Sequence, residues 1–509
     1  MNEIKPKRRI DIATTIIPFI CISILCIFFV VSPDVSTRLI EKIRFILGDT
    51  LGVYYLIIGL GILIISFYIA FSDIGKIKLG GKDEKPQYSF FTWGSLIFTC
   101  GLAADILFYS FCEWIYYAQD AHVQELGSVQ DWATTITLFH WGPIPWSFYA
   151  VLAACFGFML YVRGCNKQKY SESCRAILGK YTDMFPGKMI DVLAVFALIS
   201  GTATTFSVAT PLLSASITEL LGIPDSKYLT IAILLLICFI YTFAVITGMK
   251  SVSYLAKSCM YLFGALLLYV LFFGGHFFYI IETGFASLGL VVEKFVSLST
   301  YTDPLRENSF PQNWTIFYWA YWLVWCVASP FFMGSISRGR TIKQIILGSY
   351  CFGMSATLVS FIILGNYGLA THIFGNFNAF AFYESTGNLY HTVVEIIKTL
   401  PYYQIVLGLL IAAMIAFYAT SFDSITLVAS AYSYKTINEH ESPSSKMKFF
   451  WAILLILLPI ALIFNESSMT NLQSVSIIAA FPIGLVIVLI IASFIKDAKK
   501  HIHNTILKY

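Results

Sequence analysis

Twelve stretches of the chain are each apolar over about the 20 residues that a helix needs to cross a hydrocarbon core roughly 30 Å thick. They lie near residues 14–32, 50–72, 88–118, 139–162, 188–212, 228–247, 256–283, 314–336, 342–365, 400–434, 448–465 and 471–495, and are numbered here as spans one to twelve. Only 12% of the residues are charged, against about 25% in soluble domains. A water-soluble fold has no interior large enough for so much apolar surface. Cytosolic enzymes, secreted disulfide scaffolds and disordered chains are excluded. The sequence predicts an all-α polytopic membrane protein with twelve transmembrane helices. The first run is too long for a signal peptide and lacks a small-residue cleavage site, so it reads as a span.

Orientation follows from lysine and arginine, which favour the cytoplasmic side. With the N-terminus inside, only Arg38, Lys42, Arg44, Lys227, Lys294, Arg306 and Lys398 of the 33 basic residues fall outside. Both termini are therefore expected in the cytoplasm, with a short, mildly basic tail at 496–509. The net charge of +4 implies no nucleic-acid partner, because the basic residues are spread over short loops. Residues 285–300 have apolar positions at helical spacing around Glu293 and Lys294, the pattern of an amphipathic helix lying in the interface. Residues 366–395 are expected to form an outer loop packed over the helices. The 11 cysteines show no paired or metal-ligand spacing and read as packing residues. No metal, cofactor or catalytic constellation is expected.

Ionisable groups at membrane depth are costly and usually face a cavity. Three stand out: Asp105 in Gly101-Leu102-Ala103-Ala104-Asp105, Glu113 further along the same span, and Asp423 in Thr420-Ser421-Phe422-Asp423-Ser424. The small residues before Asp105 permit local unwinding. Thr420, Ser421 and Asp423 offer hard oxygen donors, as a small-cation or proton site needs. The plainer alternative is that each acid caps or bridges helix ends inside the bundle.

Aromatic residues cluster too. Trp141, Trp146 and Tyr149 open span four, Trp322 and Trp325 share a face of span eight, and Tyr116 and Tyr117 lie on span three. An interfacial aromatic belt explains Trp314 and Tyr318 well, but not Trp322 and Trp325, which lie half-way into their run. Ring faces converging on one point suit a quaternary ammonium, which has no N–H to donate.

At this point the chain resembles a known family, the betaine/choline/carnitine transporters. The likeness spans nearly the whole sequence. It is carried by Phe139-His140-Trp141, Tyr301-Thr302-Asp303-Pro304, Phe310-Pro311-Gln312-Asn313-Trp314 through Trp322 to Ile336-Ser337-Arg338-Gly339-Arg340-Thr341, and Ser493-Phe494-Ile495-Lys496-Asp497-Ala498-Lys499. The resemblance implies two five-helix inverted repeats, spans three to seven and eight to twelve, of the amino-acid/sodium symporter type. The implied layout is 1–87 with two peripheral helices, 88–284 as repeat one, 285–313 as linking helix and loop, 314–495 as repeat two and 496–509 as tail. It implies a homotrimer packed through 285–300 in a bacterial inner membrane, in contact with lipid. Its substrate-binding residues fall on Trp141, Trp146, Tyr149, Trp322 and Trp325, with Tyr117 added from span three. Tyr321 stands where many members carry a tryptophan.

The subfamily signals diverge. Phe139 to Trp146 and the 493–499 stretch look most like the carnitine/γ-butyrobetaine antiporters. There a basic side chain and a methionine replace two sodium ions, but here Ser253, with Lys257 one turn away, and Ser329 stand at those positions. Asp105 ends the span-three motif as in choline carriers that look proton-coupled. The expected activity is secondary transport of choline, glycine betaine, carnitine or γ-butyrobetaine, by proton-coupled uptake ahead of sodium-coupled, or by substrate:product exchange. Asp105 would carry the proton or balance the substrate's charge, and Thr420, Ser421 and Asp423 form the candidate cation site. A channel or a membrane enzyme lacks the filter segment or the nucleophile–base pair it would need.

Overall fold

The computed structural model describes residues 10–165, 167–247, 249–437, 441–464 and 469–507. The basic positions Lys5, Lys7, Arg8, Arg9 and Lys508, and Gly248, lie outside the described residues. The chain is almost wholly helical. Among the described residues nine helices are long and apolar enough to cross a membrane, or eleven spans when each of two bent helix pairs is counted as one, and Lys227–Phe243 is a shorter apolar helix. Among the described residues each of the twelve apolar runs is mainly helical, and the only β pairing is two isolated bridges, Ile10 to Tyr434 and Lys78 to Thr341.

Several boundaries differ from the sequence expectation. Span four begins earlier, as Val129–His140, and restarts at Pro143–Tyr161. Pro143 has no N–H to give, so it suits the first position of the restarted helix. Span seven is Met249–Phe273, and the residues assigned to its end belong to the next helix, Phe277–Thr300. The amphipathic helix is therefore longer than 285–300. Residues 366–395 are not an outer loop. Asn366–Ile373 extends span nine, and Ala379–Thr386 and Leu389–Lys398 are helices of their own. The Asn388 side chain caps the last by accepting from the N–H groups of Tyr390 and His391, and Val393, Val394, Ile396 and Ile397 bury its apolar face. Helices this short escape a search tuned to membrane-spanning length. The last helix runs on past the expected tail boundary, as Met469–Ile506. There Lys496 donates to the carbonyl of Ala176 and Asp497 pairs with Arg163 at 3.4 Å, docking the tail on the loop after span four.

The two bent pairs are spans three and eight. Phe90–Gly101 and Asp105–Gln119 meet at 61°, and Pro311–Trp325 and Ser329–Ser335 at 46°. All eleven cysteines are free. Cys351 alone is exposed, whereas Cys100 and Cys326, each beside one of the breaks, are buried.

Candidate functional site

A helix broken inside a membrane leaves backbone groups that must find partners elsewhere. Span ten, Tyr403–Tyr432, supplies them at both breaks. Ser421 donates to the carbonyls of Thr99 (3.1 Å) and Leu102 (2.8 Å) at the first. Tyr432 donates to the carbonyl of Val327 (3.1 Å) at the second. Ser421 and Tyr432 are about three turns apart and so lie on one face of the helix.

Between the breaks is a small cavity of about 20 Å³, lined by Gly101, Leu102, Ala103, Asp105, Trp141, Tyr149, Tyr321, Trp322 and Trp325. Trp322 is the hub of its aromatic wall. Its ring centroid is 5.6 Å from Trp141, 5.5 Å from Trp146 and 4.9 Å from Tyr149, all edge-to-face. That is the favourable arrangement for aromatic pairs. The space left beside the rings is about that of one water molecule, so this is a closed form in which the rings pack on one another. Trp146 touches Trp322 but does not line the cavity. It sits behind, donating to Thr357 Oγ1 at 3.2 Å and pressed against Gly101 and Gly353. A Cβ at Gly101 would lie 2.7 Å from its ring, and one at Gly353 2.0 Å.

Asp105 is buried at the first turn of Asp105–Gln119. Tyr321 donates to its Oδ2, and Thr205, 2.5 Å from the same phenol oxygen, completes the chain by donating to Tyr321. Tyr321 is therefore not merely a tryptophan exchanged for another ring. Its hydroxyl reaches the acid across the cavity, a role no sequence spacing signals because 216 residues separate the pair.

Glu113 does bridge helices. Its carboxylate accepts from Tyr117 and from the Trp141 indole N–H, both at 2.6 Å. The Tyr117 oxygen lies 2.7 Å from His140 Nδ1, and His140 Nε2 lies 3.0 Å from Thr315 Oγ1. Tyr117 does not line the cavity. It packs on Trp314 at 5.1 Å and is linked to the box through Glu113 and Trp141. Glu113 is thus the positioning group that sequence reasoning left without a partner, and the neighbouring polar ring, Trp141, was the available clue.

Thr420, Ser421 and Asp423 do not form one site. Ser421 faces the first break, and Thr420 donates to the carbonyl of Ala416, 2.9 Å away in its own helix. Asp423 lies two residues, about 200° of helix, from Ser421, and lines a different cavity. No cluster of metal-ligating side chains occurs among the described residues. Of the positions tied to ion replacement, Ser329 is buried at the start of Ser329–Ser335, next to the second break.

The family model for betaine/carnitine/choline transporters matches residues 13–503. A glycine betaine transporter of Bacillus subtilis is 29% identical over 482 residues, covering 92% of this chain and 91% of that protein. A carnitine transporter of Acinetobacter baumannii is 27% identical, covering 84% and 78%. An osmo-dependent choline transporter of Acinetobacter baylyi is also 27% identical, covering 98% of this chain and 73% of its own.

Proposed function

Because the chain belongs to the betaine/carnitine/choline transporter family, we propose that it moves trimethylammonium compounds across a bacterial inner membrane by alternating access, coupled to protons. The observation that carries this reading is the convergence of Trp141, Tyr149, Trp322 and Trp325 with Asp105 on one closed cavity between two broken helices. Ring faces attract a methylated cation, each contact contributing roughly 0.5–2 kcal/mol. Trp146 and Tyr117 support the rings from behind, the one against Trp322 and the other through Glu113.

Protons are favoured over sodium by the state of the oxygen donors. The Ser421 hydroxyl is engaged by two carbonyls at the break, and the Thr420 hydroxyl by its own helix. Asp105, by contrast, faces the substrate space. When ionised it balances choline; when protonated it admits a zwitterion whose carboxylate it would otherwise repel.

The helix Phe277–Thr300 exposes Phe278, Ile281, Phe285, Val292 and Val296 along one side. That apolar stripe supports packing into a homotrimer, with lipid around it. The distribution of basic residues supports cytoplasmic termini.

The test is uptake into proteoliposomes, with choline, glycine betaine, carnitine and γ-butyrobetaine in competition and proton and sodium gradients imposed separately. Saturable uptake driven by an inward proton gradient supports the reading. Exchange requiring substrate on both sides and no gradient would replace it with the antiport reading, which the 139–146 and 493–499 motifs favour.

A further inference from the structure

A second cavity, of about 290 Å³, lies at the end of the bundle where Ile10 pairs with Tyr434. Asp423 lines it, is 1% exposed, and has no hydrogen-bond partner for either carboxylate oxygen among the described residues. Burying an ionised or polar group without partners costs several kcal/mol, so such an acid implies something that visits it. Lys448, from the start of Ser445–Phe464, lines the same cavity. So do Tyr88, Tyr161, Phe331 and Phe332. Glu441 lines the cavity too, and two acids, a base and four rings around a space at the small end of the ligand-pocket range match a small zwitterion whose cationic end meets the buried acid. The carboxylate of Asp423 and the ring faces suit a methylated ammonium, and the ammonium of Lys448 suits a carboxylate.

The position fits a transit site. Phe331 and Phe332 belong to Ser329–Ser335, the half-helix that follows the second break, and Trp325, before that break, lines the aromatic box. The box is closed in this form while the second cavity has room for an osmolyte. Resting on the transporter reading above, we propose that this vestibule is a second, inner substrate site that receives the zwitterion from the box on its way to the cytoplasm. There Asp423 holds the trimethylammonium group and Lys448 the carboxylate. Asp423 then acts on the substrate itself rather than as a ligand in a cation site with Thr420 and Ser421.

The experiment measures the half-saturation constant at each face separately, using oriented proteoliposomes with betaine and with choline. Asp423→Asn should raise the inner constant about tenfold for both compounds, the effect of losing one charge-assisted contact, and leave the outer constant unchanged. Asp423→Glu should restore most of it. Lys448→Met should raise the inner constant for betaine alone, because choline has no carboxylate. Inner constants unchanged in both variants, or equal losses at both faces that Asp423→Glu does not relieve, overturn the vestibule site. Wild-type vesicles that move neither compound overturn the transporter reading instead.

Discussion

The two broken helices use one backbone device for two kinds of chemistry. In each, an apolar span bends, by 61° at residues 102–104 and by 46° at residues 326–328, and one face of span ten ties down the exposed carbonyls. Beside the first break stands an acid, Asp105. Beside the second stand rings, Trp322 and Trp325. Breaking a helix yields space and backbone dipoles at membrane depth. The side chain placed next to the break decides whether that space handles charge or a methylated surface. Tyr321 joins the two, since it lies on the ring-bearing helix and donates to the acid of the other.

The strongest test of this division is on the ring side. Trp322→Ala should abolish transport and weaken binding by about 30-fold or more, since it removes the hub of three ring contacts and a cation–π face. Membrane expression should stay near normal and Trp322→Phe should keep part of the affinity. Equilibrium binding of labelled choline or betaine decides it, and wild-type affinity in Trp322→Ala would end the cage reading. Next in size is Gly353→Ala, whose new methyl must push Trp146 because it would lie 2.0 Å from that ring. Affinity should fall about tenfold, by the cost of overpacking a tight site, and further than for Gly101→Ala, where the approach is 2.7 Å.

On the acid side, betaine uptake should rise as outer pH falls, and Asp105→Asn should flatten that profile while leaving choline less well held. A flux assay across pH with both substrates reads this, and an unchanged profile and ranking would make the acid structural. Glu113→Gln should be milder, a loss of about fivefold in affinity, as expected for one weakened hydrogen bond to a ring. In a Trp141→Phe background the same change should cost nothing more, which a double-mutant cycle measures.

The smallest effect is set far from both breaks, as a control. In the loop after span four, the side chains of Arg175 and Lys167 bond Asp183 and hold its carboxyl well below the usual range. A depressed carboxyl stabilises the fold above its ordinary value near pH 4 and loses that contribution as pH falls toward its folded value. Because the pair is half exposed, Asp183→Asn should cost less than about 1 kcal/mol at neutral pH. The gap between the melting curves of the variant and wild type should persist from pH 7 to pH 4 and close only as pH falls further toward the folded value, with transport unchanged.

The spans were legible because hydrocarbon thickness sets a length that apolar runs must meet. The first break was legible as well, from Gly101 through Ala104. What escaped were contacts that only the folded bundle creates. Nothing in the spacing of Asp105 and Tyr321, or of Glu113 and Trp141, says that they meet. Placing Ser421 and Asp423 in one site counted suitable donors but not direction, and two residues along a helix point apart. The helix Leu389–Lys398 was hidden for another reason, since only one of its faces is apolar and it is too short for a span.

The cysteines beside the breaks give the wild-type chain its own probes of motion. Cys100 and Cys326 are sealed in the closed form, whereas Cys351, the one exposed thiol, lies within span nine on the outside of the bundle. In the alternating-access cycle proposed above one flank of the box opens at a time, so a membrane-impermeant thiol reagent has a way in to the break sites only when its own flank is open. Modification at the two buried thiols then reports how long each flank stays open under substrate.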